Sequence, residues 1–249
     1  MNIPSGRGAA IMKSISLPIL ILSLAIPATA SAYTFDKDVP QATRDQITQD
    51  LAFLETFQGK QSTPFHQKVF GGKTIDGKAY VKFFTDRVSA VGMDDCGNPN
   101  AVACVITGIF SDSSKIWLTN NYIKFSHPQV AKMSVVFHEA RHTEDANSNW
   151  PHANCPTPFL DAQGKDMVSI WTGARLEGQA ACDKTPFGSY GMSVILLKNI
   201  EKNCDNCTAK VKMDAGLYGD DQFKRMTDKK AIADMTKDLY TVKKKNNQI

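Results

Sequence analysis

The chain has 249 residues, six cysteines and a formal net charge of +4 at pH 7. This length allows one well-packed domain or two lobes around a cleft. The nearly balanced charge indicates no nucleic-acid or anionic-membrane partner, and no segment beyond the N-terminal region is apolar enough to span a bilayer.

Residues 1–32 have the pattern of a signal peptide. A mostly apolar run from Ile15 to Ile26 follows Lys13, and Ala30-Ser31-Ala32 matches an A-x-A cleavage pattern. The segment predicts cleavage after Ala32 and a secreted or periplasmic protein that keeps no membrane anchor. Met12 is a more natural start for such a segment than the first methionine of the chain, so it stays an alternative start.

Residues 33–249 are expected to form a single domain. In chain order, apolar spacing predicts helices and extended segments. The helices are expected at 41–57, 80–91, 127–146, 192–203, 209–226 and 229–242, and the extended segments at 102–110, 115–118, 122–125 and 168–171. This order predicts an α+β fold that is mostly helical, with a small antiparallel or mixed sheet.

All six cysteines lie after the signal segment. An even number of cysteines in an exported chain predicts three disulfides. Proximity along the chain favours the pairs Cys96–Cys104, Cys155–Cys182 and Cys204–Cys207. The second pair would clamp the segment that follows the helix at 127–146, with a stabilisation of about 3 kcal/mol in the entropic model. We therefore expect a disulfide-stapled domain.

The motif His138-Glu139-Ala140-Arg141-His142 lies on the predicted helix at 127–146. Residues four apart on a helix share one face, about 5–6 Å apart at their Cβ atoms, so both histidines can bind one metal ion. Glu139 lies beside the open metal position, where a carboxylate can accept a proton from water. The alternative interpretation is an amphipathic helix with two surface histidines and an ion pair between Arg141 and Glu144.

This motif resembles the HExxH signature of zincin metallopeptidases. The resemblance implies Zn²⁺ as the cofactor, Glu139 as the general base, a peptide or protein substrate, and a metal site in a central cleft. It also implies that an edge strand just before the active helix binds extended peptide, and residues 115–118 are the candidate. Arg141 is charged, unlike the residue preferred there in the protease signature, and is a candidate contact for the substrate or for a neighbouring acid.

A catalytic zinc site needs a third protein ligand, and two residues are the main candidates. His152 follows His142 by ten residues and would reach the metal if the chain doubles back, which resembles the metzincin branch in outline. Glu177 begins an E-x-x-A sequence that resembles the third ligand of the gluzincin branch. His152 is favoured, and Glu177 stays the alternate ligand.

A few further residues are weaker candidates. Tyr190 is a candidate donor to a developing oxyanion. Asp145 and Asp183 are candidates for orienting a ligand histidine or, with Asp161, for completing the metal site. The sequence thus predicts an exported zinc metallopeptidase and assigns no oligomeric state. The alternative is a non-catalytic exported protein, either a metal-binding module or a degenerate zincin used for binding or structure.

Overall fold

A computed structural model describes residues 33–108 and 111–241 of the chain. These residues have the predicted α+β fold, mostly helical with small sheets. They all fall within one compact unit, Ala32–Ile249. The predicted signal peptide lies outside the described residues.

The helices of the described residues follow the predicted order with one addition and one change of type. They are α1 (Gln41–Glu55), α2 (Pro64–Phe70), α3 (Gly77–Thr85), α4 (Asn120–Lys124), α5 (Gln129–His142), α6 (Ser189–Asn203), α7 (Ala209–Phe223) and α8 (Lys229–Met235). A 3-10 turn at Asp145–Asn147 follows α5, and a π-helical turn at Thr236–Tyr240 continues α8. Side chains cap several of these helices, because an oxygen atom of the preceding residue accepts a first-turn N–H. The capping residues are Thr63, Asp76, Thr119, Thr208 and Asp228.

The described strands form one four-stranded sheet and two small two-stranded sheets. They are β1 (Thr34–Phe35), β2 (Gln58–Gly59), β3 (Ile75–Asp76), β4 (Ala90–Met93), β5 (Ala103–Val105), β6 (Lys115–Leu118), β7 (Ala153–Asn154) and β8 (Ala180–Cys182). The larger sheet has the order β1-β4-β6-β5, in which β5 runs antiparallel to β6 and the other neighbours are parallel. β2 pairs with β3 and β7 with β8, both antiparallel.

Three sequence predictions of local structure are wrong. The helix expected over 80–91 ends with α3 at Thr85, because the following residues form β4 and pair with β1 and β6 on either side. Those pairing partners are distant in the sequence, so local periodicity does not reveal them. The segment 122–125, expected to be extended, belongs to α4, which Thr119 caps. In place of a strand at 168–171, Val168 forms an isolated bridge with Arg175.

The strand at 115–118 was expected to be the peptide-binding edge, and this expectation is also wrong. The segment is β6, and it lies between β4 and β5, so both of its sides are hydrogen-bonded to neighbouring strands. β5 is the terminal strand on that side of the sheet, and it packs against the helix that carries the HExxH motif. The free edge nearest this helix is therefore that of β5.

Helix α5 runs through the centre of the hydrophobic core and packs against α6, α7 and α1. Its apolar stripe of Val130, Met133, Phe137 and Ala140 is buried, as the spacing predicts. The burial continues around the helix, since nearly all residues from Val130 to Arg141 are buried. A helix buried on almost every side is a rigid support for the side chains that it carries.

The six cysteines form the three predicted disulfides, Cys96–Cys104, Cys155–Cys182 and Cys204–Cys207. Three disulfides indicate an oxidising, extracellular type of environment. Within residues 33–108 and 111–241, we find no helix with the length and apolarity of a membrane span.

Candidate metal centre

Three imidazole rings converge at the C-terminal end of α5. His138 and His142 lie on one face of this helix, and His152 comes from the segment just before β7. The Nε2 atom of His152 lies 3.1 Å from the Nε2 atoms of both helical histidines, which are 3.3 Å from each other. The three rings form a group that could hold one metal ion.

Hydrogen bonds to the other ring nitrogens aim these Nε2 atoms. Nδ1 of His142 lies 2.8 Å from the carbonyl oxygen of Asn149, and Nδ1 of His152 lies 2.9 Å from Oδ1 of Asp183. Both partners can only accept, so each Nδ1 carries a proton. The backbone of Ser189 hydrogen-bonds to the third ring, that of His138. Each ring is thereby held in place by a partner outside the cluster.

The charge state of the rings also suits a metal ion. Burial lowers the pKa of His142 to about 4 and places that of His138 well below its ordinary value. Both rings are therefore neutral at pH 7, and their Nε2 atoms present lone pairs to a shared point. Lone pairs that converge in this way repel one another unless a cation lies between them.

A tight reversal of the chain brings His152 to the helix. Three consecutive non-glycine residues, Ser148, Asn149 and Trp150, have φ angles of 52°, 58° and 47°. Such left-handed conformations cost about 1–3 kcal/mol each when the residue is not glycine, and they concentrate at functional sites. The indole of Trp150 donates to Glu144 at 2.7 Å, and this bond helps to hold the reversal in place.

Arg141 supports the same reversal. Of its two predicted roles, the structure shows the contact with a neighbouring acid, because the residue pairs with Glu144 and does not line the metal-site cavity. Its guanidinium donates to Glu144 at 2.6 Å and to the carbonyl oxygen of Phe187 at 2.8 Å, and it lies 4.4 Å from the ring of Trp150. The ion pair of the alternative interpretation is therefore present. His138, however, is buried, with only 9% of the residue exposed, and His142 is half-buried.

Glu139 is the buried acid of the motif. It lines the same cavity as the histidines, and 5% of it is exposed. No described residue forms a hydrogen bond with its carboxylate, and burial raises its pKa to about 8. A buried carboxylate without a partner is costly, and such groups concentrate at functional sites.

The cavity has a volume of about 500 Å³. One wall consists of His138, His142, His152 and Glu139, and another consists of the edge strand β5. Glu177 lies in the turn before β8, outside both the cavity lining and the histidine group, so the structure does not bring this alternate ligand to the site. Of the weaker candidates, Asp161 caps its own turn by accepting from residues 163 and 165, and Asp145 accepts from the side chain of Asn149.

Asp183 connects the histidine cluster to helix α6. Its Oδ1 accepts from His152, and its Oδ2 accepts from the backbone N–H groups of Tyr190 and Gly191 at 2.8 and 3.3 Å. The carboxylate therefore orients a ring and caps the first turn of the helix at once. Gly188 makes this approach possible, because a Cβ atom there would lie 2.4 Å from Oδ2 of Asp183.

Tyr190 lies against the cluster, as its predicted role requires. Its ring centroid is 4.5 Å from that of His138 and 4.6 Å from that of His152. Its hydroxyl oxygen accepts a hydrogen bond of 2.9 Å from Nη1 of Arg225, a buried residue that the sequence analysis missed. Arg225 follows Lys224 just after α7, and no sequence pattern connects it to a motif more than 80 positions away. A comparison of the chain with protein-family models, curated proteins and solved structures found no match.

Proposed function

We propose that this chain is an exported zinc metallopeptidase. The observation that carries the proposal is the convergence of three imidazole nitrogens beside Glu139, a buried carboxylate that no described residue pairs. His138, His142 and His152 would hold the metal. Three protein ligands with an accessible fourth position are typical of catalytic zinc, whereas structural zinc sites are closed by four protein ligands.

The spacing of the nitrogen atoms supports zinc as the metal. Nitrogen ligands 2.0–2.1 Å from a tetrahedral ion are about 3.3 Å from one another. The observed Nε2 separations of 3.1–3.3 Å agree with this value. Bound at these nitrogens, zinc would supply a Lewis acid that activates water near neutral pH and polarises a carbonyl group.

Glu139 is the proposed proton carrier. Its carboxylate accepts a proton from the attacking water and returns it to the leaving amine. A nearby cation favours the charged form of a carboxyl group, so metal binding lowers the pKa of Glu139 from the value of about 8 that burial alone gives it. The same group is then a base at neutral pH and, once protonated, an acid within reach of the leaving nitrogen.

Tyr190 is the proposed oxyanion donor. Its hydroxyl oxygen already accepts a hydrogen from Arg225, so its own hydrogen is free to be donated into the cavity. A donor fixed in advance stabilises the negative charge that develops on the carbonyl oxygen. This use of Tyr190 accounts for a phenol packed directly against two proposed metal ligands.

The edge of β5 is the proposed peptide-binding surface. Ala103–Val105 line the cavity, and the side of this strand that faces away from β6 has no strand partner within the described chain. An extended peptide can pair with such an edge through backbone hydrogen bonds, which position a peptide bond without requiring a given side chain. The Cys96–Cys104 disulfide anchors this strand.

Metal analysis of matched variants tests the metal site. We expect about one zinc per chain in the wild type, strong loss in His152→Ala, and full retention in Glu177→Ala, since Glu177 lies outside the histidine group. Equal metal content in these two variants would contradict the proposed ligand set.

Peptide cleavage tests the proposed chemistry. Glu139→Gln should keep its zinc and lose about 10²–10⁴-fold in kcat, because the amide cannot accept the proton. If Glu139→Gln retains full activity, the proposed base is wrong. If zinc binds but the wild type cleaves no member of a diverse peptide library, the chain is instead a non-catalytic metal-binding protein.

A further inference from the structure

Arg225 is a buried cation at the wall of the cavity, and it forms no salt bridge with any residue of the described chain. Only 4% of the residue is exposed, and its Nε atom is buried without a hydrogen-bond acceptor. Among the described residues, the hydroxyl of Tyr190 is the one acceptor of its guanidinium group, and no carboxylate forms a salt bridge with it. Asp221 interacts with it at longer range. Such an arrangement costs free energy unless an anion joins it.

The other arginine of the cavity lining differs in both respects. Arg175 has a side chain that is 71% exposed, and its guanidinium pairs with Asp166 at 2.6 Å. Its charge is thus balanced within the chain and solvated. The contrast identifies Arg225 as the cavity arginine whose guanidinium no described carboxylate contacts directly.

The position of Arg225 relates it to the proposed metal site. Its Cζ atom lies 4.7 Å from the ring centroid of Tyr190, whose ring is in turn 4.5 Å from that of His138. One residue of extended peptide spans about 3.3–3.6 Å. A group bound at Arg225 therefore lies within about three residues of a peptide bond held at the histidines.

We propose that Arg225 binds a carboxylate of the substrate, close to the bond that is cleaved. This proposal rests on the proposed peptidase function. The planar guanidinium matches a carboxylate in geometry as well as in charge. Asp221 acts on Arg225 only at longer range, so a substrate carboxylate would supply the direct anionic contact that the guanidinium lacks among the described residues. The carboxylate is either the free end of a peptide chain or an acidic side chain.

Binding of small neutral and anionic probes to the zinc-loaded full chain tests the proposal. Acetyl-alanine is compared with acetyl-alaninamide, and acetyl-glutamate α-amide with acetyl-glutamine amide, by titration calorimetry. Hydrogen bonds to charged groups contribute about 1.5–3 kcal/mol, so one anionic probe should bind about 10–100-fold more tightly than its neutral partner. A preference in the first pair identifies the chain end, and one in the second pair identifies an acidic side chain.

Variants assign this preference to a residue. Arg225→Gln should abolish it, whereas Arg175→Gln should keep it, with zinc content and thermal melting measured for each protein. Arg225→Lys retains the charge without the planar fork and should keep a reduced preference, which covers the case in which the glutamine variant fails to fold. Direct binding of a carboxylate to zinc would persist in Arg225→Gln and would therefore overturn the assignment.

The outcomes separate the two proposals. Equal binding of anionic and neutral probes by the wild type, in a protein that does cleave peptides, overturns the role of Arg225 alone. A carboxylate preference that depends on Arg225, in a protein that cleaves no peptide, supports the anion site and overturns the peptidase proposal.

Discussion

Replacement of Asp183 by asparagine should weaken metal binding although it changes a single atom of the side chain. Both carboxylate oxygens of Asp183 are acceptors: Oδ1 takes the Nδ1–H of His152, and Oδ2 takes the N–H groups of Tyr190 and Gly191. An amide offers one acceptor and one donor. In either orientation of the substituted side chain, therefore, an NH₂ group faces another donor, and either the ring of His152 or the first turn of α6 loses its partner.

The expected size of the effect follows from those two contacts. Loss of a hydrogen-bonded partner behind a metal-ligating histidine costs about 10–100-fold in metal affinity. This range corresponds to about 1.4–2.7 kcal/mol. If the amide turns the other way, the loss falls on the helix cap, which is worth about 0.5–2 kcal/mol of stability. The two losses can be told apart, because the first appears in zinc affinity and the second in the stability of the metal-free protein.

The assay is a competition titration of zinc against a chromogenic chelator, with thermal unfolding recorded in excess zinc and in excess chelator. Asp161→Asn is the matched control, since Asp161 caps a local turn and contacts no histidine. A zinc affinity of Asp183→Asn within about threefold of the wild type, together with an unchanged melting temperature of the metal-free protein, would refute the reasoning.

Three further changes test other parts of the structure. Burial lowers the pKa of His66 to about 4 from an ordinary 6.5, so between these pH values the unfolded chain binds a proton that the folded chain does not. The stabilisation present above pH 6.5 is therefore lost as the pH falls toward 4. Between pH 7 and pH 5, the free energy of unfolding measured with urea should fall by about 2 kcal/mol more in the wild type than in His66→Gln. Removal of the Cys155–Cys182 disulfide by a double serine substitution should lower zinc affinity, because this bond joins the segments that carry His152 and Asp183. Removal of the Cys204–Cys207 disulfide should leave zinc affinity unchanged. Equal effects of the two changes in the chelator titration would contradict this role of the first disulfide. Gly188→Ala should reduce zinc affinity at least as much as Asp183→Asn, because the added Cβ atom displaces the Asp183 carboxylate, and an unchanged affinity would show that the carboxylate can move without releasing His152.

The local part of the site could be predicted because it depends on helical periodicity alone. His138, Glu139 and His142 lie on one helix, and a spacing of four residues places the two histidines on the same face in any α-helix. The stripe from Val130 to Ala140 identified the helix for the same reason. Its C-terminal end was placed four residues too late, since the expected range ended at 146 and α5 ends at His142. The chain leaves the helix there for a left-handed reversal, which has no glycine to mark it.

The contacts of the site that join distant parts of the chain could be predicted from the sequence only in part. The order of the cysteines along the chain predicted the Cys155–Cys182 disulfide. This disulfide favoured the prediction that the segment carrying His152 folds back toward the HExxH helix. Nothing comparable marks Arg225, whose contact with Tyr190 joins residues 35 positions apart across two helices. The edge strand was misassigned for a related reason: residues 115–118 were chosen for their position shortly before the active helix, but pairing with β4 and β5 places β6 inside the sheet. Strand order is a tertiary property, and local patterning does not determine it.

The energetics of the cavity favour a catalytic interpretation of the metal site over a structural one. A structural metal site balances its own charges, and folding then leaves no polar group nearby without a partner. Here the same cavity contains Glu139, a carboxylate that burial desolvates, and Arg225, a guanidinium with a single neutral acceptor. Each group costs the folded chain free energy, and no described salt bridge with either group offsets that cost. A chain retains such costs where a ligand offsets them, and a metal ion beside Glu139 with an anionic substrate beside Arg225 would offset both.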